Sequence, residues 1–148
     1  MSIFDNPDEF FMQQALIEAR AARDEGEIPI GAVIVSNGNI IARGHNNTER
    51  LNDVTAHAEM QAITSAANML GGKYLQECTL YVTVEPCTMC AGAIAWARLD
   101  SLYYGASDPK RGFERLGRGM LHPRTVVESG LMKEDCEELL KSFFKKHR

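Results

Sequence analysis

Apolar residues recur along this chain with two periods, and the switches between them predict its elements. From Asp8 to Glu25 they fall at helical spacing, with Phe11, Ala15, Leu16, Ile17 and Ala19 as the stripe and Gly26 just beyond the end. Ile28 to Val35 reads as a strand, Asn37-Gly38 as a tight hairpin turn, and Asn39 to His45 as the returning strand. Asn46 to Val54 is polar and predicts a loop. Helical spacing returns from Ala58 to Leu70 and is closed by Gly71-Gly72. Thr79 to Val84 alternates and is rich in β-formers, so it predicts a strand, followed by a helix to about Arg98. Ser101 to Gly105 predicts a short strand. Asp108 to Pro123 is a Gly- and Arg-rich loop with room for a short helical turn. Thr125 to Glu128 predicts the last strand. Met132 to Lys146 predicts a closing amphipathic helix with Leu139, Leu140, Phe143 and Phe144 inward.

An opening hairpin followed by alternating strands and helices predicts a mostly parallel sheet covered on both faces. Ligands in such sheets bind at the carboxyl ends of strands. The strand ending at Val84 delivers Glu85-Pro86-Cys87 to that edge. A length of 148 residues suits one domain spanning 1–148, and 45% hydrophobic with 24% charged residues suits a globular one. The beginning of the chain lacks the basic start and apolar core of a signal peptide. No apolar run approaches the roughly 20 residues of a membrane span. With four cysteines and no export signal, the expectation is reduced thiols and a cytoplasmic protein.

The net charge of −4 gives no global nucleic-acid footprint. The distribution is uneven, however. Between residues 105 and 127, Lys110, Arg111, Arg115, Arg118 and Arg124 outnumber Asp108 and Glu114, and the tail from Lys141 to Arg148 has basic residues and no acid. Charge alone leaves two readings of these stretches: phosphate contacts, or solvated helix ends suited to the dipole.

The chemistry lies in two motifs about thirty residues apart, Thr55-Ala-His-Ala-Glu-Met60 and Glu85-Pro-Cys-Thr-Met-Cys90. His57, Cys87 and Cys90 offer one imidazole and two thiolates, and Glu59 a carboxylate free to move protons. Three N/S ligands leave a tetrahedral Zn²⁺ one open position, which marks a catalytic rather than a structural site. Water in that position becomes a usable nucleophile near neutral pH. Pro86 suits the first turn of a helix that starts with Cys87 and Cys90 on one face. The positive helix end favours their thiolates. His57 and Glu59 are two apart and point about 200° apart in mid-helix, so they serve one site only from an open first turn. Asp53 and Thr55 are both plausible N-caps for that turn. Alone, the C-x-x-C is also compatible with a redox pair or half a zinc knuckle. No second pair exists: Cys78 begins a strand and reads as buried packing, and Cys136 sits in an acidic helix start and reads as incidental.

These motifs resemble those of the cytidine-deaminase-like superfamily, and within it the bacterial tRNA adenosine deaminases. The similarity covers nearly the whole chain, including Gly26 to Val33, Asn46, Asp53 to Glu59, Leu80 to Cys87, Met89 to Ile94, Gly105-Ala106, Asp108 and the Phe143-Phe144 tail. It implies a three-layer α/β/α sandwich around a five-stranded mixed sheet, one zinc per chain held by His57, Cys87 and Cys90, and Glu59 as proton shuttle. It also implies a homodimer and makes Asn46 a substrate contact, with the backbone near Ala58 and Pro86 lining a base pocket. The implied substrate is adenosine in a tRNA anticodon loop. Asp108, Lys110 and Phe144 are candidate RNA contacts. For Asn46 and Asp108 the plainer roles of fixing a loop and capping a turn stand beside these. The segment Asp108-Pro-Lys-Arg-Gly-Phe-Glu-Arg departs from the family's usual Gly- and Ala-rich loop. The rival readings are deamination of a free nucleobase or nucleoside, and a structural zinc protein that binds RNA without catalysis.

Overall fold

The computed structural model describes residues 5–147. The reading of the first residues, and Arg148 of the basic tail, lie outside them. Helix α1 spans Pro7–Asp24, and a hairpin follows with strands β1, Gly31–Ser36, and β2, Asn39–His45. Helix α2 spans Ala58–Leu70, strand β3 Cys78–Val84, helix α3 Thr88–Ala97 and strand β4 Ser101–Ala106. Two 3₁₀ turns, Phe113–Leu116 and Arg118–Met120, occupy the loop where a short helical turn is expected. Strand β5, Val126–Ser129, and helix α4, Lys133–Lys146, close the chain.

Local chemistry explains several boundaries. Asn6 caps α1 by accepting the Glu9 amide hydrogen at 3.1 Å, and Pro7 occupies the first turn. Asn37 and Gly38 both take positive φ, 51° and 75°, as a tight hairpin turn demands. Gly71 ends α2 in the left-handed conformation.

The sheet order is β2-β1-β3-β4-β5. The β1–β2 and β1–β3 pairs are antiparallel, and β3–β4 and β4–β5 are parallel. The sheet is therefore evenly mixed rather than mostly parallel, because β1 runs against both of its neighbours. Helices α1 and α4 cover one face through Phe11, Met12, Leu16, Leu139, Val33 and Tyr81. Helices α2 and α3 cover the other through Ala58, Ala62, Ile94, Ile34, Leu80 and Val82. This is the expected α/β/α sandwich.

Three details depart from the sequence reading. Strand β1 starts at Gly31 rather than Ile28. Phe144 does not face inward: it is 51% exposed while Phe143 is buried, since adjacent residues on a helix point about 100° apart. Cys136 is not incidental. It is buried in the α1/α4 layer against Gly105, where an added Cβ would lie 2.4 Å from its Sγ.

Candidate active site

The carboxyl end of β3 is extended by Glu85-Pro86-Cys87 into the start of α3. Cys87 is the N-cap of α3, and Cys90 lies one turn later, fully buried. Pro86 stands just before the cap rather than in the first turn. From the next layer position, α2 brings His57, which is the N-cap of that helix. Asp53 and Thr55 do not cap it. Instead the Asp53 carboxylate accepts the Thr55 amide and hydroxyl hydrogens at 2.8 and 2.7 Å, shaping the turn before the helix. Helix α2 reaches this position by lying in backbone contact with β2. A Cβ on Gly44 would sit 2.5 Å from the Ala58 carbonyl oxygen and 2.8 Å from the Ala62 nitrogen. Ala58, Ala62 and Ala66 are fully buried and keep the approach close.

The three side chains converge. His57 Nδ1 lies 3.6 Å from Cys87 Sγ and 3.5 Å from Cys90 Sγ, and the ligand atoms are all within 4.8 Å of one another. Zinc bonds of about 2.3 Å to sulfur and about 2.0–2.1 Å to nitrogen put tetrahedral ligand atoms roughly 3.6 Å apart. The donor set and its spacing therefore fit zinc. The sulfurs share a proton unequally. The hydrogen donated by Cys90, with that of His57, pulls the Cys87 thiol down to about 4. Cys90, as donor to Cys87 and as a buried group, is pushed up. His57 is raised, first by its hydrogen bond to Cys87. A divalent cation held among them would supply the charge that lets both sulfurs be thiolates. Glu59 is 4% exposed, and burial pushes its carboxyl up to about 7. It is thus a carboxyl group held beside the three ligands in a dry setting.

The two flanking loops carry the other candidates. Asn46 is buried, its amide donates to the Ile30 carbonyl at 3.1 Å, and its Oδ1 has no hydrogen-bond partner. A buried acceptor left unpaired is costly, so a site that leaves one open is suited to an incoming donor. Asn47 Oδ1 is likewise unpaired. Ala58 is the first residue of α2 and is buried beside His57. Pro86 is buried and its carbonyl is already taken by the Phe113 amide at 2.9 Å. Asp108 does cap a turn: its carboxylate accepts the Lys110 and Arg111 amide hydrogens, each at 3.1 Å. Lys110 is exposed. Phe144 rides on α4, in the layer opposite α2 and α3, with its ring edge-on to Phe143. Arg118, one of the basic loop residues, is paired to Glu114 at 2.6 Å.

Comparison with known proteins decides the family. The model of the MafB19-like deaminases matches residues 6–148. The chain belongs to this deaminase family. A tRNA-specific adenosine deaminase of Agrobacterium fabrum is 49% identical to it over 143 residues, 93% of this chain and 94% of the relative. A solved tRNA:A34 deaminase, studied for A-to-I editing at the wobble position, is 48% identical with a TM-score of 0.83, covering 88% of this chain and 99% of its own. A guanine deaminase from Bacillus subtilis is also 48% identical, with a TM-score of 0.64, but the match covers 67% of this chain and 64% of its own.

Two buried acids of the deaminase escaped the sequence reading. Glu27 accepts the Glu49 and Arg50 amide hydrogens at 3.1 and 2.8 Å and so fastens the loop after β2. Glu85 accepts those of Asp108 and Glu114 at 2.9 and 3.0 Å and fastens the loop after β4. The sequence carried no signal for them, because their partners are backbone amides distant along the chain.

Proposed function

We propose that this deaminase converts adenosine to inosine at the wobble position of tRNA, as a cytoplasmic, homodimeric enzyme with one zinc ion per chain. The convergence of His57, Cys87 and Cys90 with the buried carboxyl of Glu59 carries the reaction type. Full-length similarity to tRNA-specific relatives supports the substrate. His57, Cys87 and Cys90 would hold a zinc ion, which would supply a water acidified enough to act as the nucleophile near neutral pH. Glu59 takes a proton from the attacking water and returns protons to the ring nitrogen and the departing ammonia. The orphaned Oδ1 of Asn46 accepts a hydrogen bond from the nucleoside. Ala58 and Pro86 shape the pocket around the base. An anticodon loop suits the site because its bases are already partly unstacked.

Surface chemistry supports the partner readings. Trp96 on α3 is 84% exposed and Val54, three residues before His57, is 85% exposed. Large apolar side chains left to water favour a covering partner surface. Lys110 and Phe144, with the tail lysines, are the proposed phosphate and stacking contacts of the RNA. Among the described residues no helix is long and apolar enough to cross a membrane, and the four cysteines are free.

Deamination of a free base is the second reading, favoured by the partial match to a guanine deaminase. A product assay separates the two. The expected result is inosine at the wobble position of a matched tRNA, with free adenosine, guanine and cytosine turned over far more slowly. Rapid release of xanthine from guanine with no inosine in tRNA overturns the proposal.

A further inference from the structure

Glu85 sits between a metal-ligand candidate and a wall of the proposed substrate groove. Its own amide donates to the Ala106 carbonyl at 2.8 Å, extending the β3–β4 pairing past the sheet edge. Its carboxylate crosses to the far strand connection and accepts two amide hydrogens, from Asp108 at 2.9 Å and Glu114 at 3.0 Å. Gly112 packs flat against it: a Cβ there would meet Glu85 Oε2 at 2.0 Å. Around this contact the loop is stitched to the ligand segment itself. The Phe113 amide donates to the Pro86 carbonyl at 2.9 Å, and Gly112 makes an isolated antiparallel bridge with Cys87. Phe113 is fully buried against Tyr104, which anchors the far end of the loop in the core.

We propose that Glu85 is a positioning residue that locks the loop 108–114 to Pro86–Cys87, so that the groove wall and the metal ligand move as one body. Glu85 is not among the clustered donors His57, Cys87 and Cys90. It acts through Asp108, whose carboxylate then holds Lys110 and Arg111 in a fixed turn, and through Gly112, which borders Cys87. Gly112 is part of the same device, since any side chain there displaces the carboxylate. The proposal deepens the tRNA reading and relies on it for the choice of substrate. The lock itself is a property of the loop and is measurable without any substrate.

The test uses Glu85→Gln and Gly112→Ala in the full-length zinc enzyme, singly and together. Glutamine keeps one acceptor but turns an N–H₂ towards a second donor, so one of the two amides loses its partner. Each single variant should raise KM for an anticodon stem-loop and lower kcat/KM roughly ten- to hundredfold, the range in which one unpaired buried group is felt. Zinc content should stay at one per chain and kcat should change least. The double variant should be no worse than the worse single one, because both changes break the same contact. Hydrogen exchange at the Asp108 and Glu114 amides should accelerate in both variants. Unchanged exchange at those amides overturns the lock, whatever the substrate proves to be. Faster exchange with KM and kcat within twofold of the parent overturns its role in positioning, and additive losses show two independent effects. If the parent enzyme makes no inosine in tRNA, the tRNA reading fails, and the exchange arm alone still decides the lock.

Discussion

Helices α2 and α3 begin alike and contribute differently. Each starts with an N-cap that is itself a candidate ligand, His57 or Cys87, in extended backbone, and neither cap makes the usual side-chain hydrogen bond to its own helix. The next functional residue comes two positions later on α2 and three positions later on α3. Three residues turn a helix by about 300°, so Cys90 comes back beside Cys87 and joins the donor cluster. Two residues turn it by about 200°, and Glu59 is buried without belonging to that cluster. One extra residue of spacing thus separates the proposed second ligand from the proposed proton carrier.

The comparison breaks most completely if a ligand is removed. His57→Ala should lose zinc and all measurable deamination, and a strong chelator should do the same to the parent until zinc is restored. Metal analysis beside an activity assay checks both, and an active enzyme without metal would end the zinc reading. Glu59→Ala should part the two helices' roles: zinc stays near one per chain, while kcat falls by about 10²–10⁴, the usual worth of general acid–base catalysis. Activity within tenfold of the parent would remove Glu59 from that role.

A milder change sharpens the geometry. Gly44→Ala pushes β2 against the Ala58 carbonyl and should cost about 1–3 kcal/mol of stability, as overpacking does. Because the displaced helix carries His57 and not Cys87, zinc affinity should fall with it. Thermal melts with and without zinc measure both effects, and a fall in stability at constant zinc affinity would show that α2 tolerates the shift. The smallest effect is expected at the tail. Deleting Lys145 to Arg148 should raise KM for tRNA a few-fold and flatten its dependence on salt, since phosphate contacts release counterions. Zinc content should not change, and identical tRNA kinetics across salt would take the tail out of the RNA site.

The cluster of His57, Cys87 and Cys90 was legible in the sequence because metal chemistry demands particular residue types at particular spacings, and few other readings use these three together with Glu59. The elements were legible for the same kind of reason: periodicity follows from the geometry of helix and strand. The cap of α2 was misread because Asp53 and Thr55 are better caps by propensity, yet the position belongs to His57. Of the strand directions only that of β1 against β3 escaped the periodicity, because periodicity says nothing about pairing and this antiparallel contact is tertiary. Glu27 and Glu85 stayed hidden because their partners are backbone amides, 22 and 23 residues away or more, which no side-chain pattern reveals.

That last feature has a consequence for how such a chain can change over generations. The loop 108–114 is held to Glu85 through its amides, which every residue except proline possesses, so the exposed side chains of Lys110 and Arg111 are free to be exchanged. Gly112 is constrained by the lack of room for a Cβ, Phe113 by its burial against Tyr104, and Asp108 by the turn its carboxylate holds. The segment behaves as a cassette. Its surface can drift towards a new RNA, or towards a small base, while the fastening and the chemistry beneath it are inherited intact.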